Sequence, residues 1–350
     1  MFPLPTHQRR RSFQGPPGGG FGPHGAIDTT VDEEPGAPLS PRRPLQYTRR
    51  FPVPLRWDLY WDDYQDVRLD DRNGTFRVYT AGSSGPVVLC LHGGGYTALT
   101  WSLAAQLLKD RYRVVGLDMR GHGDTVTSDD GDLSAETLCA DTVSIWTKMF
   151  GSTQEATPTV IVGHSMGGAI AVRAAASHSI TSLEGVVVID VVEGTALGSL
   201  PHMLTLLKQR PPSFPSQEAA VEWALSTRMS RNEEAACISL PNMLKPSPDG
   251  TGYVWRTLLK ESEQFWRGWF TGLSDMFLAI EKPKMLVLVG TDRLDKALTI
   301  GQMQGRFQMV VLPAAGHAVQ EDESEDVAET VGTFMKRFRI GQELPAFVRR

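Results

Sequence analysis

The sequence predicts an α/β fold: a mostly parallel central sheet flanked by helices, with a helical insertion. Short apolar runs at 87–92, 159–162 and 186–190 alternate with segments of helical periodicity, which is typical of a parallel sheet covered on both faces. A glycine-rich turn at 163–168 joins one apolar run directly to a helical segment of small residues. Between about 195 and 275, strand-like runs give way to helical segments rich in aromatic residues.

The first element is a predicted β-hairpin, with strands at 66–69 and 76–80 around a turn at Asn73. Ser134 and Ser216 are expected to begin helices, because a serine at the N-cap accepts a hydrogen bond from a first-turn amide. The other core elements are predicted in this order: strand 87–92, helix 101–109, strand 113–117, the Ser134 helix, strand 159–162 and its helix, strand 186–190, strands 285–289 and 308–312, and a last helix at 327–338.

Composition divides the chain into five segments. Residues 1–54 hold 11 of the 23 prolines and seven arginines against four acidic residues, a composition typical of disorder. The rest of the chain has the apolar patterning of a folded core. The predicted organisation is a disordered Pro/Gly/Arg-rich tail at 1–54, a first core part at 55–195, a helical insertion at 196–275, a second core part at 276–340 and a C-terminal tail at 341–350.

The composition also disfavours several function classes. A net charge of −5 argues against nucleic acid as the main partner. No run of about 20 apolar residues is present, so no membrane span is predicted, and the N-terminus lacks an apolar segment of signal-peptide length. The widely spaced Cys90, Cys139 and Cys237 are predicted to be reduced structural thiols. A cytoplasmic or nuclear protein is therefore expected, not a secreted one.

Ser165 stands at the centre of the most informative motif, GHSMG. The order of strand, sharp turn with a serine, and helix is that of the nucleophile elbow of the α/β-hydrolase fold. Ser165 is expected to adopt a strained backbone that lifts its hydroxyl clear of the sheet, and a side chain at Gly163 or Gly167 would collide with the neighbouring turn. The sequence therefore predicts Ser165 as a catalytic nucleophile.

His317 is the predicted general base. A serine hydroxyl is a weak nucleophile at neutral pH and needs a positioned base, which in this fold follows the last strand. Of the eight histidines, only His317 lies just beyond the predicted final strand, and Gly316 beside it permits a tight loop. His92, His122 and His164 are expected to hold structural positions in their loops.

The acid that orients this histidine has several candidates. Asp190 ends an apolar run, whereas Asp292 and Asp295 follow the strand before the histidine strand, where the acid of this fold usually lies. The neighbouring Arg293 and Lys296 offer the later aspartates ordinary ion pairs, which slightly favours Asp190. The residues alone leave both places open.

Backbone amides are predicted to bind the oxyanion of a tetrahedral intermediate. The donors would be the amide of Met166, which follows the nucleophile, and one amide from Gly94 or Gly95 in the HGGG run. No GK[ST] follows this run and no GxGxxG opens a helix after the first strand, so no nucleotide site is predicted. The expected chemistry uses no cofactor and no metal.

Longer blocks make the chain resemble one family. From about residue 50 to residue 340, this chain resembles the protein phosphatase methylesterase family. The resemblance lies in the blocks LHGGGYTALTW, VGHSMGGAIAV, IDVVEGTA and GTDRLDKALTIGQMQGRFQMVVLPAAGHAVQED. The resemblance implies an enzyme that removes the methyl ester from the C-terminal leucine of the type 2A protein phosphatase catalytic subunit, its expected partner. It also implies that Asp190, the aspartate of IDVVEGTA, completes a catalytic triad with Ser165 and His317.

The aromatic cluster EQFWRGWF is denser than one helix face needs. Trp266 and Trp269 are therefore candidate substrate-binding residues on a docking surface for the phosphatase. Two alternative functions stay open. A general small-molecule carboxylesterase would use the same three residues, and a phosphatase-binding protein would act mainly by sequestration.

Overall fold

The structure is a computed structural model that describes residues 52–151 and 157–342, without the side chain of Asp292. These residues belong to one compact unit. The predicted tails at 1–54 and 341–350 lie almost entirely outside the described residues. None of the described helices is both long enough and apolar enough to cross a bilayer.

The described residues form two sheets, one of nine strands and one of three. In chain order the strands are β1 (Asp63–Leu69), β2 (Gly74–Ala81), β3 (Val87–Leu91), β4 (Arg113–Leu117), β5 (Val126–Thr127), β6 (Thr159–His164), β7 (Leu183–Ile189), β8 (Ser213–Phe214), β9 (Leu244–Pro246), β10 (Tyr253–Trp255), β11 (Lys284–Leu288) and β12 (Gln308–Val311).

The larger sheet is mostly parallel, as predicted. Its strand order is β1-β2-β4-β3-β6-β7-β11-β12, and β5 pairs with β2. The β1–β2 and β2–β4 pairs are antiparallel, whereas every pair from β4 to β12 along this order is parallel. Parallel strands end at one common edge, so the loops after β3, β6, β7 and β12 meet there, at the edge where ligands bind in open α/β sheets.

The helices of the described residues pack on both faces of this sheet. In chain order they are α1 (Ser102–Leu108), α2 (Ala135–Phe150), α3 (Met166–Ala176), α4 (Glu193–Gln209), α5 (Gln217–Ser226), α6 (Glu233–Ser239), α7 (Glu263–Phe270), α8 (Leu273–Ala279), α9 (Lys296–Met303), α10 (Val319–Asp322) and α11 (Ser324–Arg337).

Local sequence signals explain several element boundaries. Both predicted N-caps are confirmed: the Ser134 side chain accepts a hydrogen bond from the Thr137 amide at 3.3 Å, and Ser216 accepts one from the Ala219 amide at 3.2 Å. The predicted hairpin is confirmed as well, because Asn73 occupies the left-handed region at φ 47° in the turn between β1 and β2.

Alternate residues of the parallel strands supply two cores, one on each face of the sheet. Leu89 and Ile161 pack into the cluster that contains α2 and α3, whereas Cys90 and Val162 pack into the cluster that contains α1 and α11. Since both faces are buried, these strands have nearly continuous apolar runs instead of a strict alternation of apolar and polar residues. The cysteines are free thiols, as predicted: Cys90, Cys139 and Cys237.

The segment between β7 and β11 differs in part from its prediction. It contains the helices α4 to α8, as expected, but also the small sheet β8-β10-β9. These strands have two or three residues each, too few to show an alternating pattern in the sequence. The rings of Phe214, Trp223 and Trp255 pack against one another with centroids 5.5–5.7 Å apart. Part of the aromatic content of this segment is therefore the insertion's own core.

Candidate active site

Ser165 lies at the sharp turn between β6 and α3. Its backbone is strained, at φ 52° and ψ −118°, and its amide donates to the Ile189 carbonyl at 2.9 Å. A Cβ at Gly167 would lie 2.5 Å from the Leu91 carbonyl oxygen, so only glycine permits so close an approach. The turn holds Ser165 half-buried at the carboxyl edge of the sheet.

Asp190 and His317 form a hydrogen-bonded pair at the same edge. Asp190 follows β7 directly, with a left-handed backbone at φ 52° that ends the strand. Its Oδ2 accepts a hydrogen bond from His317 Nδ1 at 2.8 Å. The Asp190 side chain is fully buried, whereas the His317 side chain is 53% exposed. The pairing places the proton of a neutral imidazole on Nδ1 and leaves Nε2 able to accept another.

Arg293 is a second partner of Asp190. Its Nη1 donates to Asp190 Oδ1 at 2.6 Å. Burial alone would raise the pKa of Asp190, but the hydrogen bond from His317 and the charges of His317 and Arg293 outweigh it and hold this pKa below its usual value. Asp190 is therefore an anion at neutral pH and can stabilise a charged imidazolium.

Asp295 has other surroundings than the sequence suggested. Arg293 pairs with Asp190 and not with Asp295, as shown by the 2.6 Å contact. Asp295 caps α9, where it accepts from the Leu298 amide at 2.9 Å, and it also accepts from the Ser274 hydroxyl at 2.5 Å. The side chain of Asp292 lies outside the described residues.

His164 holds the loop of His317 in place. Its Nε2 donates to the His317 carbonyl at 2.7 Å, and its Nδ1 accepts from the Gln320 side-chain amide at 3.3 Å. Burial lowers the pKa of His164 to about 3, so the ring is neutral. The structural position predicted for His164 is confirmed.

The contact of His164 with His317 also brings the nucleophile and the base together. The ring centroids of His164 and His317 lie 4.7 Å apart, and Ser165 directly follows His164 in the chain. The structure thus places Ser165, Asp190 and His317 at one edge of the sheet. Within the described residues, Ser165 Oγ makes no hydrogen bond to His317, so in this resting geometry the acid–histidine bond is formed and the serine–histidine bond is open.

The amides of Met166 and Gly94 lie near the nucleophile and have no hydrogen-bond partner within the described part of the chain. Met166 is the first residue of α3, where an amide has no partner inside the helix. A Cβ at Gly94 would lie 3.7 Å from the Met166 sulfur, so these two residues are neighbours. The Gly95 amide instead donates to His122 Nε2 at 2.9 Å. The predicted oxyanion role of Gly95 is therefore wrong, because its donor is already engaged.

His122 and His92 are neutral acceptors that shape the neighbouring loops. Burial lowers the pKa of His122 to about 4, and its Nδ1 donates to the Arg120 carbonyl at 2.8 Å. His92 Nε2 accepts from the Met119 amide at 3.0 Å, and burial lowers the pKa of His92 as well. The structural positions predicted for both histidines are confirmed.

Arg231 and Asp322 connect the insertion to the His317 loop, a contact that no pattern in the sequence predicts. The Asp322 carboxylate accepts from the Arg231 amide at 2.7 Å and from the Gly316 amide at 2.6 Å. The Arg231 guanidinium donates to the Ala314 carbonyl at 2.5 Å. Since the two elements are 91 residues apart, no local spacing could have revealed the pairing.

Trp266 and Trp269 are not surface residues. Both are only 1% exposed, so the predicted docking surface is wrong for these two side chains. Their polar ends are satisfied inside the protein: Trp266 Nε1 donates to the Ser262 hydroxyl at 2.8 Å, and Trp269 Nε1 donates to the Leu133 carbonyl at 2.6 Å. The aromatic density of EQFWRGWF serves the packing of α7 on the core.

Gly93→Ala is expected to lower kcat about 10- to 100-fold, because small displacements of catalytic groups are costly. A Cβ at this position would lie 2.8 Å from His164 Nδ1 and 3.3 Å from Ser165 Cβ. Since His164 holds the His317 carbonyl, a shift of its ring displaces the base. Steady-state kinetics on an activated ester measure the loss.

Gly198→Ala is the matched control for this change. Gly198 lies in α4, and a Cβ there meets no atom within 4 Å. This variant should keep full activity and gain a little stability, because alanine favours the helix. An unchanged kcat in Gly93→Ala would contradict the positioning role of His164.

Glu321 makes stability fall as pH rises. Burial raises the pKa of Glu321 in α10 to about 7 despite hydrogen bonds from Ser239 and Ser230, and Oε1 has no partner among the described residues. The folded protein therefore keeps a proton that the unfolded chain releases, and stability is lost as pH rises from the ordinary glutamate value of 4.5 to about 7. Glu321→Gln is expected to raise the free energy of unfolding at pH 8 by about 1–3 kcal/mol and to change it little at pH 5.

Denaturant unfolding at the two pH values measures this difference. The control is Glu325→Gln, at an exposed position in α11, which should show no such dependence on pH. If Glu321→Gln shifted stability equally at both pH values, the buried carboxyl would not be the cause.

The fold matches an extensive group of known proteins. A family model described as Alpha/beta hydrolase family matches residues 88–330. The crystal structure of E-2-(acetamidomethylene)succinate hydrolase superposes with a TM-score of 0.65 at 23% identity, over 78% of this chain and 100% of that chain. At this identity the likeness shows a shared fold alone.

Two relatives are much more similar in sequence. Protein phosphatase methylesterase 1 of Mus musculus is 42% identical over 354 aligned residues, which cover 88% of this chain and 90% of that protein. Probable protein phosphatase methylesterase 1 of Caenorhabditis elegans is 47% identical, with 82% of this chain and 79% of that protein covered. The chain therefore belongs to the protein phosphatase methylesterase 1 family of alpha/beta hydrolases.

Proposed function

We propose that this protein is a serine carboxylesterase that removes the methyl ester from the C-terminal leucine of the type 2A protein phosphatase catalytic subunit. The observation that carries the proposal is the Asp190–His317 hydrogen bond of 2.8 Å at the edge that presents Ser165. The relatives named protein phosphatase methylesterase 1 support the substrate class, and the hydrolase fold supports ester cleavage.

In the first step, Ser165 Oγ attacks the ester carbonyl carbon and its proton passes to His317 Nε2. Proton transfer needs heavy atoms about 2.6–3.2 Å apart, so the serine–histidine bond that is open in the resting structure closes for this step. Asp190 stabilises the imidazolium that results, while Arg293 holds the other carboxylate oxygen.

The amides of Met166 and Gly94 bind the oxyanion of the tetrahedral intermediate. Donors of this kind stabilise the transition state more than the ground state, and losing one typically costs about 3 kcal/mol. The intermediate then loses methoxide, which takes the proton from His317 and leaves as methanol. Water attacks the acyl-enzyme with His317 as the base, and this step releases Ser165 and a C-terminal carboxylate.

Selectivity in this scheme comes from the acyl side of the ester, because a methyl leaving group fills little space. We assign recognition of the acyl side to the insertion at 196–275, which lies in the chain between the core parts at 55–195 and 276–340. Leu259 of the insertion lies 3.3 Å from the Cβ positions of both Gly94 and Gly95. The insertion thus contacts the loop that supplies an oxyanion donor.

Methanol release from the carboxymethylated phosphatase catalytic subunit tests the proposal. The protein should release methanol from this substrate with a higher kcat/KM than from a short methyl ester. Cleavage of short esters without release from the phosphatase would indicate a general carboxylesterase. Tight binding and inhibition of the phosphatase without methanol release would indicate sequestration.

A further inference from the structure

Arg210 is a half-buried cation whose guanidinium forms no hydrogen bond or ion pair with any described residue. Among the other buried and half-buried arginines, Arg173 donates to backbone carbonyls, Arg113 has an Nε without a partner in the described part of the chain, and several others have carboxylate partners. Arg77 pairs with Asp66 and Asp124, and Arg120 pairs with Asp141. Proteins seldom bury a charge without a partner, because the lost hydration must be replaced.

The position of Arg210 points to the active site. It follows α4, and its Nη1 lies 3.8 Å from the Cβ position of Gly95, the residue after the proposed oxyanion donor Gly94. The guanidinium carbon lies 5.0 Å from the centroid of the Trp255 ring, and Trp255 is fixed by its own hydrogen bond to the Pro211 carbonyl at 2.8 Å. The cation is therefore held beside the glycine loop that supplies an oxyanion donor.

The aromatic contact compensates only part of the cost of burying Arg210. A cation–π contact recovers only part of the free energy that is lost when a cation is removed from water. Burial accordingly lowers the pKa of Arg210. An arginine remains charged even so. The protein thus maintains an uncompensated positive charge at this place.

Tyr96 provides a second donor in the same region. It is 7% exposed, and its ring meets His164 edge-on with the centroids 5.7 Å apart. Burial raises the pKa of Tyr96, so its phenol keeps its proton and can donate a hydrogen bond. Arg210 and Tyr96 together offer one charged and one neutral donor next to the oxyanion loop.

We propose that Arg210 binds a carboxylate on the acyl side of the substrate, next to the ester that Ser165 attacks. This inference rests on the proposed function, which makes the acyl side a peptide. Each extended residue spans about 3.3–3.6 Å, and the test below covers the last four residues of that peptide. It has two possible sources: an acidic side chain of the substrate, or the C-terminal carboxylate that ester hydrolysis creates.

Calorimetric titration of short peptides into the Ser165→Ala protein tests the inference without turnover. The probes are acetylated alanine pentapeptides ending in leucine. In one set, each peptide ends in a methyl ester and has aspartate or asparagine at the second, third or fourth position from its C-terminus. In the other set, the peptide without aspartate ends in a free acid or an amide.

Each probe is titrated into Ser165→Ala alone and into Ser165→Ala combined with Arg210→Gln. The combination of Ser165→Ala with Lys208→Gln is the matched control, because Lys208 is an exposed cation of the same helix. It removes the same charge without touching the site.

A carboxylate bound by Arg210 should tighten binding about 10- to 100-fold, as charge-assisted hydrogen bonds do. If the source is a side chain, one aspartate ester binds more tightly than its asparagine counterpart. If the source is the product, the free acid binds more tightly than the amide. In either case Arg210→Gln abolishes the preference and Lys208→Gln retains it.

The inference is overturned if no carboxylate preference exists, if no probe binds at millimolar concentration, or if Arg210→Gln leaves a preference intact. An equal loss with Lys208→Gln also overturns it, because the effect would then be long-range attraction. Methanol release by the wild-type protein is measured separately on the same esters. Failure of that reaction with the carboxylate preference intact would count against the proposed function alone.

Discussion

Replacing Ser165 with alanine is expected to lower kcat for methanol release by about 10⁶-fold, the size of loss seen when a triad nucleophile is removed. The reason is that no acyl-enzyme can form. The histidine, the acid and the oxyanion amides stay in place, so a residual rate above that of water remains. Release from the methylated phosphatase by the purified variant and wild type, at matched concentrations, measures the difference.

The Ser165→Ala protein also serves as its own folding control. Alanine fits the backbone at φ 52° no worse than serine does, and the Ser165 hydroxyl has no hydrogen-bond partner among the described residues. Its melting temperature should therefore match that of wild type. Retention of more than a tenth of the activity would exclude Ser165 as the nucleophile.

Asp190→Asn is expected to lower kcat by about 10⁴-fold, because an amide at this position cannot stabilise the imidazolium and favours the wrong histidine tautomer. The loss should be in kcat more than in KM, since the imidazolium forms only during the reaction. The carboxylate also forms the 2.6 Å contact with Arg293, so the variant leaves that cation without its partner. Single-turnover kinetics on a methyl ester measure the chemical step directly.

Asp295→Asn is the control for this substitution. Asp295 caps α9 and accepts from Ser274, and asparagine is an equally good N-cap, so the replacement should change stability little and leave kcat nearly unchanged. A large loss in Asp292→Asn combined with near-normal activity in Asp190→Asn would move the acid to Asp292.

The parts of the molecule that the sequence predicted well depend on local patterns. The strands β3, β6 and β7 are short apolar runs bounded by turns, and the elbow around Ser165 combines a strand, two glycines and a helix within a few residues. The N-caps at Ser134 and Ser216 are equally local. In each case the residues that determine the structure are neighbours in the chain.

The parts that were missed or wrong depend on contacts between distant residues. The amide of Gly95 is engaged because His122 folds back onto it from another loop. Trp266 and Trp269 are buried because α7 turns its aromatic face inward, which a cluster of four aromatic residues in eight cannot reveal. The strands of the small sheet are defined only by their pairing. Tertiary structure decided these features, and local composition could not.

The choice between Asp190 and the later aspartates shows the same difference between local patterns and contacts of distant residues. Spacing along the chain left both places open, the neighbouring cations slightly favoured Asp190, and the resemblance to a family then implied it. In the structure Asp190 meets His317 across 127 residues of sequence. The positive φ of a non-glycine residue at the end of β7 is a signal of function that exists only in three dimensions.

The hydrogen bonds from Arg231 and Gly316 to Asp322 determine how this part of the protein unfolds locally. The Asp322 side chain is 2% exposed, so water cannot easily replace either bond. The insertion and the loop of His317 should therefore open as one cooperative unit, with linked rates of amide hydrogen exchange. Backbone cleavage or a destabilising substitution in the insertion would then abolish ester hydrolysis, although every residue of the triad remained unchanged.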